Sequence, residues 1–117
     1  MITLRTEVLD VPAIKSVLLQ NRESNTYQRT LTLRNLTASA LTLYLETSTD
    51  GGATWSDIEA AFVIGAAGGG ADVLIKNIAV ANMIRLQGQG GGDDRDLQVS
   101  LLSAYLDTAH IWPTPAL

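Results

Sequence analysis

The sequence contains no cysteine and a single histidine, His110. The first absence removes disulfides, thiolate metal sites and cysteine nucleophiles, and the second removes histidine metal clusters and most triad chemistry. Aromatic residues make up only 5% of the chain, against a hydrophobic fraction of 46%. A core must therefore be built mainly from Leu, Ile, Val and Ala. Basic residues are also sparse. Eight Lys and Arg stand against twelve Asp and Glu, for a net charge of −4, and they form no run. That balance argues against nucleic acid as a partner, because phosphate binding needs a clustered basic face. No apolar stretch approaches the ~20 residues of a membrane span, and Met1 leads into Ile2-Thr3-Leu4-Arg5 without the basic and apolar regions of a signal peptide. The expectation is a soluble protein made in a cytoplasm, with no membrane and no nucleic acid among its partners.

At 117 residues the chain has the size of one domain. Such a domain buries roughly two-thirds of the surface its unfolded chain exposes and needs no staples. Strand-like runs recur at short intervals between clusters of Gly, Asn, Asp and Ser, the rhythm of a sandwich or barrel. Ile14 to Gln20 reads as an edge strand or docking segment, with Pro12 just ahead of it. Tyr27 to Leu33 and Leu41 to Glu46 alternate with period two. Leu31, Leu33, Leu41, Leu43 and Leu45 point inward, whereas Thr42, Tyr44 and Glu46 face out. These two runs are expected to pair as a hairpin. Ile58 to Ile64 reads as a strand, with a short helix as the alternative. Asp72 to Ile78, Asn82 to Gln87 and Leu97 to Leu101 complete about seven strands. The count is that of an all-β, immunoglobulin-like antiparallel sandwich. The sandwich is assigned to residues 1–106, with residues 1–11 as an N-terminal docking segment. Residues 107–117, with Trp112, Pro113 and Pro115, read as an extended C-terminal tail, since proline blocks both helix and ladder.

The most specific local string is Ser48-Thr49-Asp50-Gly51-Gly52-Ala53-Thr54-Trp55. Asp50 is placed to accept hydrogen bonds from following amides, and glycine supplies positive φ for a tight turn. Trp55 packs back over it. The candidate structural turn is therefore Ser48, Asp50, Gly52, Thr54 and Trp55. Asp93, Asp94 and Asp96 lie among glycines, but they lack the later ligands of an EF-hand loop and read as a solvated acidic turn. The runs Gly65 to Gly70 and Gly88 to Gly92 lack the Lys-Ser or Lys-Thr of a phosphate loop. Glu46, Asp57 and Glu59 read as ordinary surface charge, and no catalytic carboxylate pair emerges. The residues give no catalytic site, no metal site and no cofactor.

The string from Ser48 to Trp55 resembles the Asp-box, best known from sialidases and related propellers, where it is structural and occurs in several copies. A short, cysteine-free β chain with one such turn after an alternating strand resembles small virion proteins of tailed bacteriophages. The resemblance covers about Tyr27 to Trp55. It implies a capsid decoration or cement protein located on the virion and bound to the major capsid protein or another virion protein, often as a homo-oligomer such as a trimer. Bridging would fall to Ile111, Trp112 and Pro113 and to the segment Ile2 to Val11. Alternatives are a neck, tail or baseplate component, or a carbohydrate-binding sandwich that stacks sugars on Tyr44, Trp55 or Tyr27.

Overall fold

The computed structural model describes residues 2–21, 26–78 and 83–105. The tail residues Ile111, Trp112 and Pro113 lie outside the described residues, as does the side chain of Tyr27. Nine strands follow one another: β1 (Ile2–Leu9), β2 (Ser16–Asn21), β3 (Thr26–Asn35), β4 (Leu41–Ser48), β5 (Ser56–Asp57), β6 (Phe62–Ile64), β7 (Val73–Ile78), β8 (Met83–Gln89) and β9 (Leu97–Tyr105). Among the described residues there is no helix. The strands form two antiparallel sheets, one in the order β1-β9-β3-β7 and the other β2-β8-β4-β5, with β6 also paired to β4.

The all-β sandwich is as the sequence led us to expect. Its connections follow the order of a jelly roll and not the expected immunoglobulin-like one, because the chain changes sheet between most successive strands. Only β4, β5 and β6 follow one another within a sheet, and the short β5 and β6 share the same edge of β4. The two strands beyond the expected seven are β1 and β5. In the stretch read as Ile58 to Ile64, only Phe62 to Ile64 is strand.

The expected hairpin between the third and fourth elements does not form. β3 pairs with β7 and β9, while β4 lies in the opposite sheet against β8. Asn35 explains the departure. Its side chain is fully buried at the corner, where Nδ2 donates to the carbonyls of Ser39 at 2.8 Å and Gly65 at 2.9 Å. Its Oδ1 accepts from the amide of Thr37 at 2.8 Å. This Asx-type turn carries the chain over the end of the sandwich. The leucines of β3 and β4 then oppose one another across the core instead of lying side by side.

The cluster of buried hydrophobic residues is aliphatic, and the Arg29 side chain is fully buried as well. Leu31, Leu33, Ile78, Leu97, Val99 and Leu101 come from the first sheet, and Leu41, Leu43, Leu45, Ile64, Ile84 and Leu86 from the second. Each such side chain contributes about 1.5–3 kcal/mol on burial. Val11, in the connection between β1 and β2, completes the cluster and is fully buried. β2 carries a bulge between Val17 and Leu19. The extra residue lets Leu18 and Leu19 both pack on the core, while Val17 and Gln20 remain exposed.

Candidate functional site

Three clusters of polar contacts and one groove are the places where chemistry could reside. The first is the turn after β4. Ser48 Oγ accepts from the Gly52 amide at 2.9 Å and donates to Asp50 Oδ1 at 2.7 Å. Asp50 also accepts from the Thr54 amide at 2.9 Å and from the Thr54 hydroxyl. Trp55 Nε1 donates to the Gly52 carbonyl at 3.2 Å, closing the ring over the turn. Gly51 and Gly52 have φ of 74° and 98°, which a side chain rarely tolerates. The Thr54 hydroxyl and amide and the Ser48 hydroxyl hold the Asp50 carboxyl down to about 2. Every polar group of the five residues is thus spent on the turn.

The second cluster lies on the outer face of β4 and β8. Glu46 stands directly opposite Arg85 and accepts from its Nε at 2.6 Å, and from Gln87 Nε2 at 2.7 Å. Reading Glu46 as ordinary surface charge is therefore corrected, because only 7% of the residue is exposed. Burial raises its pKa, but the hydrogen bonds from Arg85 and Gln87 and the charges of Arg85 and Lys15 outweigh it, and the net shift is downward. The Arg85 guanidinium lies 4.3 Å from the Trp55 ring centroid, and Lys15 Nζ lies 4.1 Å from that of Tyr44. Two of the three aromatic rings suggested as sugar platforms, Trp55 and Tyr44, already have a face covered by a cation. That arrangement works against the stacking that a carbohydrate-binding sandwich requires.

The third cluster surrounds Asp96. Its carboxylate is nearly fully buried and accepts from the amides of Val11 and Asp94, both at 2.9 Å, and of Gly92 at 3.3 Å. Burial raises its pKa, and the amides of Val11, Asp94, Gly92 and Asp93 more than reverse that. Oxygens aimed at N–H donors are turned away from a cation. Asp93 and Asp94 point elsewhere, and among the described residues no three acidic or histidine side chains come together. Asp93 and Asp94 are exposed, as the expected solvated turn requires, whereas Asp96 is a clamp holding Val11 in the core.

The groove is shallow, about 190 Å³, and lies on the outer face of the first sheet between Thr32, Arg34, Val73, Gln98 and Ser100. Arg34 is exposed there and forms no ion pair among the described residues. No nucleophile, base or acid pair lines the groove.

Two sets of functional contacts escaped the sequence reading. Glu46, Arg85 and Gln87 meet only because β4 and β8 are neighbours across 39 or more positions. Val11 and Asp96 meet across 85. A hint was available in Gly88 and Gly91. A Cβ on Gly91 would collide with the backbone of Val11, and one on Gly88 would lie 3.4 Å from Val11 Cγ1.

No family model and no curated protein sequence matches the chain. Among solved structures, it is similar to a protein from work reporting that Bacillus endospore appendages form a novel family of disulfide-linked pili. The TM-score is 0.66 at 11% identity, over 92% of this chain and 88% of that one. A likeness at that identity is one of fold. Disulfide linkage of that kind is closed to this chain, which has no cysteine.

Proposed function

We propose that this chain is a non-enzymatic structural protein that works in many copies on the surface of a larger particle, as a decoration protein on the shell of a tailed bacteriophage. The observation that carries the reading is the outer face of the first sheet. It is a broad strand surface whose side chains are mostly neutral: Thr30, Thr32, Gln98 and Ser100, with Leu4, Leu102 and Ile75 exposed around them. Arg34 is its one charged group among the described residues. Depletion of charge together with exposed aliphatics is what the centre of a protein–protein interface needs. On the opposite face Glu46 and Arg85 are locked into an internal pair. The one groove is shallow and offers no catalytic pair. The turn at Ser48 to Trp55 supports the phage assignment through its resemblance to virion sandwich domains. The partner would be the major capsid protein or another virion protein, met by a homo-oligomer.

The test is the copy number of this chain relative to the major shell protein, by quantitative mass spectrometry of particles from its source. A ratio near that of the shell subunits supports decoration. A few copies per particle would move the protein to the neck or tail, and absence would overturn the virion reading. A second reading, a subunit of a surface fibre, is favoured by the likeness to the appendage protein. Filaments formed by the purified chain in electron micrographs would select it.

A further inference from the structure

We infer that the N-terminal segment Ile2–Val11 is an exchangeable arm, and that its receptor is the β9 edge and Val11 socket of a second copy of this chain. The inference deepens the multicopy reading above by naming a contact between copies.

The argument begins with how little holds β1 to its own fold. It lies at the edge of the first sheet and is paired with β9 alone, from Ile2 opposite Ala104 to Leu9 opposite Leu97. Leu4, Arg5, Thr6 and Glu7 are all exposed, so neither face of the strand is covered along that stretch. Leu4 is 66% exposed beside its partner Leu102. Arg5 forms its ion pair with Glu7, two residues along the same strand, at 2.9 Å. That pair travels with the strand. Apart from the ladder, the link to β9 over this stretch is the contact between the hydroxyls of Thr6 and Ser100 at 3.1 Å.

The base of the arm is built differently. Val11 is fully buried, its amide bonds Asp96 and its carbonyl accepts from the Asp93 amide at 3.0 Å. The Asp96 amide donates to the Leu9 carbonyl at 2.9 Å, and the Arg95 amide to Asp10 Oδ1 at 2.7 Å. Gly91 leaves the space into which Val11 fits. Beyond this plug the chain surfaces at once. Ala13 and Ile14 are exposed, Ile14 at 76%, and Pro12 precedes them. A ladder strand ending in a specific plug, joined to the body by an exposed proline-containing link, is a detachable unit. The site it leaves is matched to one occupant, the same ten residues of another copy. The contacts of the arm itself are re-formed in the exchanged form, so the cost of exchange falls on association and on the link, where the Gly91 and Gly90 amides donate to the carbonyls of Pro12 at 3.3 Å and Ala13 at 3.2 Å.

Because the chain has no native cysteine, a cross-strand disulfide reads the connectivity directly. Thr6→Cys/Ser100→Cys places thiols where two hydroxyls already touch, on exposed positions that leave the core intact. Equal amounts of ordinary and heavy-isotope-labelled chain are refolded together from urea at rising protein concentration, then oxidised and digested. With exchange, the peptide linking positions 6 and 100 carries mixed labels, in about half of all such links at high concentration. Links with a single label throughout, at every concentration, would overturn the inference. Bonds between two copies of position 6 report random collision and are counted apart by mass. The result does not depend on any particle, so it fails or succeeds separately from the decoration reading.

Discussion

Val11 and Asp96 hold the sandwich together from opposite ends of the sequence: the buried carboxylate of Asp96 accepts the Val11 amide at 2.9 Å while the Val11 side chain fills the core beneath it. The contact anchors the end of the first strand to the turn that leads into the last, beside the ladder the two strands share. Asp96→Ala is expected to strip acceptors from three amides and to lower stability by about 2–3 kcal/mol. Urea denaturation followed by Trp fluorescence measures it. A loss below a few tenths would mean that water satisfies those amides equally well.

Gly91 and Gly92 make a matched pair for a test of close packing. A methyl group on Gly91 runs into the Val11 backbone, whereas one on Gly92 meets only Asp96 Oδ1 at 3.8 Å. Neither residue has a positive φ. Gly91→Ala should therefore destabilise by about 1–3 kcal/mol or more, and Gly92→Ala by little. Equal melting temperatures for the two variants would contradict the geometry.

Glu46 is kept charged under cover by Arg85 and Gln87. Arg85→Ala leaves that carboxylate buried with one partner, and should cost about 2–4 kcal/mol. It also uncovers a face of Trp55, so the indole emission should shift. Glu46→Gln in the same background should recover part of the loss, because the stranded charge is gone. A double-mutant cycle in chemical denaturation gives the coupling.

Acid should unfold the protein by a definite route. Asp50, Glu46 and Asp96 all have pKa values lowered by folding, from ordinary values near 4. A lowered carboxylate stabilises the fold above its unfolded pKa, and that contribution disappears as pH falls through the folded one. Melting temperature should thus be flat with respect to these groups between about pH 5 and pH 7 and fall below about pH 4, with the contribution of Asp50 disappearing near pH 2. A rise in stability on acidification would contradict the assigned hydrogen bonds.

Much of the fold was legible because alternation is a local signal. Leu31, Leu33, Leu41, Leu43 and Leu45 were placed inward from period two alone, and all are buried. Pairing was not legible in the same way. Adjacent strands suggested a hairpin, and the corner at Asn35 became readable only once Ser39 and Gly65 were seen to converge on its amide. Within Ile2 to Leu9, Leu4 is exposed while Leu9 packs on the core, so nothing in the string separated a strand from a docking segment. Glu46 was misread for the converse reason. Its position on the outer face was right, and the burial came from Arg85 and Gln87, distant in sequence.

The place of β9 between β1 and β3 has a consequence for how the protein is made. Both neighbours of β9 leave the ribosome well before it does, and neither can complete its ladder until residues 97–105 emerge. The first sheet therefore has no centre during most of synthesis, and its long-range pairings close late. For that interval β1 has no partner strand of its own and is exposed to the matching strand of a neighbouring chain.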